Sequence, residues 1–130
     1  MNVNHLISDT IARIKNGFVG HKNTVSVLKS KQTSRIIEIL EQEGFIRGYL
    51  DNKNTITVQL KYLDGKSVIH NFKVISTPGK RMYFGFKDLI DWKNETNSFE
   101  MLILSTTQGI FADHVVLEKG LGGEVLCIIK

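Results

Sequence analysis

The stretch LISDTIARIKNGF, residues 6–18, predicts the helix with which the fold begins. Its core-forming positions recur at spacings of three and four residues, which is the repeat of one buried helix face. These positions are Leu6, Ile7, Thr10, Ile11, Ile14 and Phe18. Asn16-Gly17 tolerates the left-handed backbone at which helices often stop, so the sequence predicts a helix that ends there. Arg13 and Lys15 then point away from the buried face.

The residues after this helix predict a short strand and then a second helix. Val25 and Val27 alternate as in a short strand, and Ser30 can cap a second helix by accepting a backbone N–H. That helix is expected to bury Ile36 and Leu40 and to stop at Gly44. Segments 45–50 and 55–62 read as strands around a turn at 51–54. The N-terminal order is therefore predicted to be helix-strand-helix-strand-strand.

The second half reads as mainly β. Asp64-Gly65 is a tight-turn signal and is the predicted division between an N-terminal α/β lobe, 1–63, and a C-terminal β-rich lobe, 64–130. Strands are expected at 68–75, 81–84, 101–104 and 124–129. Pro78-Gly79 predicts a turn with Gly79 at positive φ, 91–98 a loop, and 113–119 one short helix ended by Gly120. Together these elements predict an α+β fold of two small lobes.

Composition places the chain among ordinary globular proteins. It has 130 residues, of which 42% are hydrophobic and 23% charged, and a net charge of +4. No apolar run approaches the ~20 residues that span a bilayer, so no membrane association is expected. The N-terminus is interpreted as mature sequence rather than a targeting peptide. Cys127 is the only cysteine and is expected to be a buried thiol in a reducing compartment.

Enzyme and metal hypotheses find little support. Ser105, His114 and Asp113 offer a nucleophile, a base and an orienting acid, but adjacent helical side chains point about 100° apart. The four histidines lie far apart and no second cysteine exists, so no metal and no cofactor are expected. The glycines of residues 120–123 follow a helix and open a strand, the reverse of a phosphate loop. We therefore expect no catalysis and no small-molecule substrate. Isolated aromatic residues are interpreted as core rather than as a stacking platform: Phe84, Phe86 and Trp92.

Five motifs in order give the chain a family resemblance. They are DTIARIKNG (9–17), EQEGFI (41–46), ISTPGKRMY (75–83), LSTTQG (104–109) and GLGGEVLC (120–127). Their order and spacing resemble the family of bacterial-type small-subunit ribosomal proteins numbered eight, over residues 7–129. The resemblance implies a two-lobed structural protein that binds the central domain of small-subunit rRNA early in assembly. It implies two kinds of partner, the rRNA and neighbouring small-subunit proteins. The alternative function is that of a translational repressor binding its own messenger RNA.

The resemblance also implies which residues meet RNA. The main contact is the loop Ser105, Thr106, Thr107 and Gln108, set against a distorted minor groove. Beside this loop the implied contacts are Glu124, Gly122, Gly123, Tyr83 and Arg81. In the other lobe they are Ser30 and Lys31, with Arg13, Lys15 and Asn16 facing further rRNA.

Several positions depart from the family pattern. Gln108 and Thr77 replace expected basic residues, and His114 replaces an expected Arg. Ala112 replaces the usual Thr cap of the last helix, so Asp113 is expected to cap it. The weaker electrostatics suit an organellar ribosome. The thirteen Lys against four Arg, with fifteen Ile, indicate an AT-rich coding genome. Mitochondrial encoding is the favoured origin, with an AT-rich bacterium or a plastid as alternatives.

An uncharged loop has a physical reason to face RNA. The RNA minor groove presents 2′-hydroxyls and base edges that both donate and accept hydrogen bonds. Hydroxyl and amide side chains do the same, whereas Lys only donates. The competing interpretation is that the hydroxyls of residues 105–107 merely satisfy their own backbone in a turn.

Overall fold

The chain divides into two units, Met1–His70 and Asn71–Lys130. The structure is a computed structural model that describes residues 3–95 and 100–130, with side chains described from His5 onward. Within these described residues, unit 1 has two helices and a three-stranded antiparallel sheet, and unit 2 has a five-stranded antiparallel sheet with two helices. The predicted α+β class is confirmed.

Unit 1 has the predicted order of elements. They are α1 (Val3–Val19), β1 (Thr24–Leu28), α2 (Lys31–Gln42), β2 (Ile46–Asp51) and β3 (Thr55–Leu60). The sheet order is β1-β3-β2. A small hairpin follows, formed by β4 (Tyr62–Leu63) and β5 (Lys66–Ser67). Asp64 and Gly65 make its turn with φ values of 53° and 77°, as the turn signal predicts.

Helix α1 is longer than the sequence predicts. Its predicted inward positions are buried, apart from a half-buried Leu6, but the helix continues through Asn16-Gly17 to Val19. A Cβ on Gly17 would collide with the Val25 side chain and lie 2.9 Å from Leu60 Cδ1. Gly17 therefore serves close packing of α1 against the sheet, and the predicted stop is wrong.

Helix α2 begins with the predicted cap. Ser30 Oγ accepts from the backbone N–H of Thr33 at 3.1 Å, and Thr33 Oγ1 accepts from the backbone N–H of Ser30 at 2.9 Å. Two N–H groups that the first helical turn leaves unpaired are thus satisfied reciprocally. Behind the cap, the inward face of α2 is at most 2% exposed: Ile36, Ile37, Ile39 and Leu40. Together with Ile11, Ile14 and the inward residues of β3, this face forms the core of unit 1.

Unit 2 is organised around its last strand. Its elements are β6 (Phe72–Val74), β7 (Tyr83–Phe84), α3 (Phe86–Glu95), β8 (Met101–Thr106), β9 (Gly109–Ala112), α4 (Asp113–Glu118) and β10 (Gly123–Ile129). Strand β10 pairs with β7 at its start, with β6 at its end and with β8 along its length. Cys127 lies on β10 and is fully buried, and burial raises the pKa of its thiol to about 12.

Helix α3 was not predicted. Residues 91–95 are helical rather than loop, so the part of unit 2 that the structure describes has two helices rather than one. The rest of the predicted loop, 96–98, lies outside the described residues. The signal is weak because Leu89 alone is fully buried, with Trp92 half-buried on the same cluster. Asp88 supports the start of the helix, since its Oδ2 accepts from the backbone N–H of Gly85 at 2.9 Å.

Two further strand-and-turn predictions need correction. The strand expected at 68–75 is confined to Phe72–Val74. Gly79 has no positive φ. The turn is instead closed by Thr77 and Lys80, whose backbone N–H and C=O groups exchange hydrogen bonds of 3.1 and 3.0 Å.

Asp113 does not cap α4. The N-cap is Ala112, which makes no side-chain hydrogen bond. Asp113 is fully buried, and its Oδ2 accepts from the backbone N–H of Leu102 at 3.0 Å and pairs with Lys93 Nζ at 3.1 Å. The carboxylate therefore joins α3, β8 and α4, and Lys93 neutralises a charge that would otherwise be buried alone.

The core of unit 1 gives the first testable prediction. Leu40→Ala should lower the free energy of unfolding by about 2–5 kcal/mol, because it removes apolar contacts and leaves a cavity. Urea denaturation measures the change. Leu63→Ala is the matched control, since Leu63 is 70% exposed, and it should change stability by less than ~0.5 kcal/mol. Equal effects of the two substitutions would contradict the placement of α2.

The buried pair in unit 2 gives the second. Lys93→Met should cost about 2–3 kcal/mol, somewhat less than for a fully buried pair, because the Lys93 side chain is 21% exposed. Lys87→Met, on the exposed side of the same helix, is the control and should be nearly neutral. Thermal denaturation of both variants measures the change in stability. An unchanged unfolding midpoint for Lys93→Met would show that the Lys93–Asp113 pair contributes nothing to stability.

Candidate nucleic-acid interface

The polar segment 105–108 forms the tip of the β8–β9 hairpin. Ser105 and Thr106 belong to β8 and are half-buried, so they are strand residues rather than the predicted loop. Thr107 and Gln108 make the connection and are exposed. Gly109 takes φ 130°, a backbone conformation that favours glycine, and Thr106 pairs with it across the hairpin.

The hydroxyls of this hairpin differ in what they bind. Thr106 Oγ1 accepts from the backbone N–H of Gln108 at 3.1 Å and donates to the C=O of Gly109 at 2.8 Å. The turn interpretation is therefore correct for Thr106. The side chains of Ser105, Thr107 and Gln108 have no hydrogen-bond partner within residues 3–95 and 100–130. These three retain their capacity to donate and accept.

Three of the predicted residues stand in one row across the sheet. Glu124 of β10 is the register partner of Tyr83 on β7 and of Ser105 on β8. Because directly paired residues of antiparallel strands point to the same face, the ring, the carboxylate and the hydroxyl lie side by side. Tyr83 is 63% exposed and Ser105 is half-buried, so the row is open at one side.

Gly122 and Gly123 make this row possible. A Cβ on Gly123 would collide with the carbonyl oxygen of Ser105, and one on Gly122 would lie 2.5 Å from the carbonyl oxygen of Phe84. The two glycines thus let β7 and β8 approach β10 closely. The structure thus shows that Gly122 and Gly123 allow close approach of neighbouring backbone.

Arg81 extends the row toward the 77–80 turn. Its Nη1 lies 3.4 Å from Glu124 Oε2, and the Arg81 and Glu124 side chains are 42% and 14% exposed. The guanidinium balances the carboxylate and keeps an exposed portion. Thr77 and Lys80 of the same turn are exposed.

In unit 1 the predicted residues fall into separate places. Arg13 and Asn16 line an open groove of about 290 Å³ with Lys22, Thr24 and Ser26. Lys15 is exposed but does not line the groove. Arg13 Nε also pairs with Asp9 Oδ2 at 2.9 Å.

Three polar residues of this groove were not predicted from the sequence. Thr24 and Ser26 carried a usable signal, because outward positions of a strand alternate with the inward Val25 and Val27. Lys22 carried none, since it precedes the strand.

Ser30 and Lys31 differ in their availability. The Ser30 hydroxyl takes part in the cap of α2, so a substitution there would also destabilise the helix. Lys31 is exposed at the first position of α2. It carries a charge that can meet a phosphate without serving the fold.

The surplus of positive charge is confined to unit 1. Residues 1–70 contain ten Lys and Arg against six Asp and Glu, whereas residues 71–130 contain seven of each. Unit 2, which holds the hairpin, is therefore neutral as a whole. Any affinity of that unit for a polyanion must come mainly from hydrogen bonds and shape, with local help from cations such as Arg81.

The structure gives no support to the hydrolase hypothesis. Oδ2 of Asp113 is engaged by Leu102 and Lys93, and its Oδ1 is buried without a hydrogen-bond partner among the described residues, so neither oxygen orients the exposed His114. Within the described ranges, no group of three His, Cys, Asp or Glu side chains is placed to hold a metal ion. Nor does either of those ranges contain a helix with the length and apolar character needed to cross a membrane.

Comparison with known proteins agrees with the motif order. Residues 5–129 match the family model described as ribosomal protein S8. The small ribosomal subunit protein uS8 of Rhizobium rhizogenes is 37% identical over 134 aligned positions, which cover 99% of each chain. The uS8 protein of Sinorhizobium medicae is 38% identical over 128 positions, or 95% of each chain. Because these matches span almost the whole sequence, the chain belongs to the ribosomal protein S8 family.

Proposed function

We propose that this chain is a non-catalytic constituent of the small ribosomal subunit that binds the central domain of the small-subunit rRNA during assembly. The relatives named above are small ribosomal subunit proteins. The observation that carries the proposal is the unpartnered polar surface at the β8–β9 hairpin, beside the Tyr83–Glu124–Ser105 row.

This surface suits a distorted minor groove. Ser105 and Thr107 hydroxyls and the Gln108 amide can each donate and accept, as 2′-hydroxyls and base edges do. Glu124 adds an acceptor and Tyr83 adds an exposed ring with a hydroxyl. Since none of the hairpin tip residues is charged, close approach does not require desolvating an ion.

Cations supply the contribution that does not depend on RNA sequence. We assign phosphate contacts to Lys31 and Arg13 in unit 1 and to Arg81 in unit 2. All three side chains are exposed at least in part. Phosphate contacts fix position without reading bases, so these residues should strengthen binding to any RNA.

The compartment of the ribosome and the identity of the bound RNA are further parts of this proposal. The relatives are bacterial. The replaced basic residues and the AT-rich composition of this chain suit a mitochondrial ribosome, with an AT-rich bacterium or a plastid as alternatives. A messenger RNA with the same irregular helix would bind the same surface. Sedimentation of the protein with small-subunit particles, and sequencing of the RNA recovered with it, distinguishes a ribosomal role from repression and identifies the compartment.

The hairpin is tested by hydroxyl removal. The double variant Ser105→Ala, Thr107→Ala should weaken binding to the cognate rRNA helix by ~2–4 kcal/mol, because donors and acceptors of the RNA lose their partners. Non-specific RNA binding and the thermal midpoint should stay unchanged, since neither hydroxyl has a hydrogen-bond partner among the described residues. Filter binding and thermal denaturation measure the two quantities.

Thr106→Val is the matched control for that experiment. It removes the hydroxyl that holds the turn and should lower stability by about 1 kcal/mol while leaving the intrinsic affinity of the folded protein nearly unchanged. If the double variant lost stability and kept its affinity, the hairpin would not be an RNA contact.

Lys31 is tested by salt dependence. Lys31→Ala should weaken cognate and non-cognate RNA alike and reduce the slope of log K against log salt by about 1, because one counterion fewer is released. Lys53→Ala removes an exposed lysine from the β2–β3 turn and should leave the slope unchanged. An unaltered slope for the Lys31 variant would exclude Lys31 from the interface.

A further inference from the structure

An open groove with a volume of about 410 Å³ runs between β7 and α3 in unit 2. We refer to it as the α3 groove. Its lining consists of Tyr83, Phe84, Asp88, Asp91, Trp92 and Glu95. Aromatic and acidic residues make up the whole of this lining, in a chain whose net charge is +4.

Of the aromatic residues that line the groove, two pack on the core and one is exposed. Phe84 and Trp92 are half-buried and pack against the core cluster that contains Leu89. Tyr83 is 63% exposed at the edge of the groove. The Trp92 ring already has one cation near it, since Lys93 Nζ lies 5.8 Å from the ring centroid. The groove therefore has rigid ring surfaces on which a planar or cationic group can stack.

The carboxylates all lie on one side of α3. Asp88, Asp91 and Glu95 are separated by three and four residues, which places them on a single helix face, and all are exposed. Asp88 accepts from the backbone N–H of Gly85. Asp91 and Glu95 have no ion-pair partner within residues 3–95 and 100–130, and Lys87, one turn before Asp91, does not pair with it.

We propose that the α3 groove docks an arginine-rich segment of a neighbouring protein. The proposal rests on the proposed place of the chain in the small ribosomal subunit, where other small-subunit proteins are its expected neighbours. Three carboxylates on α3 repel phosphate, so the α3 side of the groove is unsuited to RNA, whereas Tyr83 stands at its other edge. A guanidinium fits it in two ways, because it pairs with carboxylates through a planar fork and stacks on aromatic rings. Lysine meets the carboxylates only as a point charge, and its ammonium can lie over a ring without the flat stacking that a guanidinium makes.

The only tryptophan of the chain provides the signal for a direct test. The full chain is titrated with a short oligoarginine peptide while Trp92 fluorescence is recorded. A saturable change is expected, with oligolysine of the same length binding more weakly. The double variant Asp91→Asn, Glu95→Gln should weaken oligoarginine binding about fivefold or more.

The control changes net charge by the same amount elsewhere. Asp64→Asn, Glu118→Gln neutralises two exposed carboxylates that do not line the groove and should leave the dissociation constant unchanged. Equal weakening by both double variants would show non-specific attraction and overturn the proposal. Equal affinity for oligoarginine and oligolysine would overturn the role of the rings.

RNA binding separates this proposal from the proposed function. The groove variant should bind the cognate rRNA helix with unchanged affinity, and a loss there would make the groove an RNA surface and overturn the protein partner. Failure of the Ser105→Ala, Thr107→Ala experiment would instead count against the hairpin and leave the peptide result standing. In assembled small subunits, a photo-cross-linker at residue 91 should couple to a protein segment containing arginine. Coupling to rRNA alone would overturn the assignment.

Discussion

Backbone pairing along β10 is the constraint on which unit 2 depends. One strand of seven residues, Gly123–Ile129, hydrogen-bonds to β6, β7 and β8. The register shift between Val125 and Cys127 places an extra residue, Leu126, in the core, so three consecutive residues of β10 are buried. This anchoring fixes Glu124 between Tyr83 and Ser105. Three of the side chains that we assign to RNA, those of Tyr83, Glu124 and Ser105, are thereby held by strands, which position groups more precisely than mobile loops do.

Identical residue types have different roles in this chain because of their neighbours. Ser30 and Thr106 direct their hydroxyls to backbone groups and define a helix start and a hairpin turn. Ser105 and Thr107 stand next to Thr106 and keep theirs available. A residue's chemistry therefore limits what it can do, and the local backbone selects one of the options. The turn interpretation of the polar segment is therefore correct for Thr106, while the RNA interpretation stays a prediction for Ser105 and Thr107.

The sequence predicted the elements whose signals are local and dense. The inward face of α1 and α2 recurs over several turns, and the cap at Ser30 depends on residues three apart. The sequence failed where the reason is tertiary. Gly17 looked like a helix stop. A glycine is needed there because the Val25 side chain packs against it, and Val25 lies on another element. Asp113 looked like a cap, but its partners Leu102 and Lys93 are distant in sequence. Helix α3 buries too few residues to produce a clear periodicity.

The same limit applies to the candidate site. The family resemblance predicted the hairpin and its neighbours as RNA contacts, and the register of β7, β10 and β8 brings Tyr83, Glu124 and Ser105 together as one row. The α3 groove could not be foreseen, because it needs a helix that the pattern did not reveal and aromatic residues that were assigned to the core. Phe84 and Trp92 do pack on the core, and their remaining surface lines the groove.

The unequal distribution of charge has a kinetic consequence under the proposed function. Coulomb attraction acts over a Debye length, whereas hydrogen bonds act only at contact. Unit 1, with ten basic against six acidic residues, accelerates the diffusional encounter with a polyanion, and neutral unit 2 does not. Salt should therefore slow association, while the residence time of the complex depends on the uncharged hairpin. Capture and retention of the RNA are then separate properties, located in different halves of one small protein.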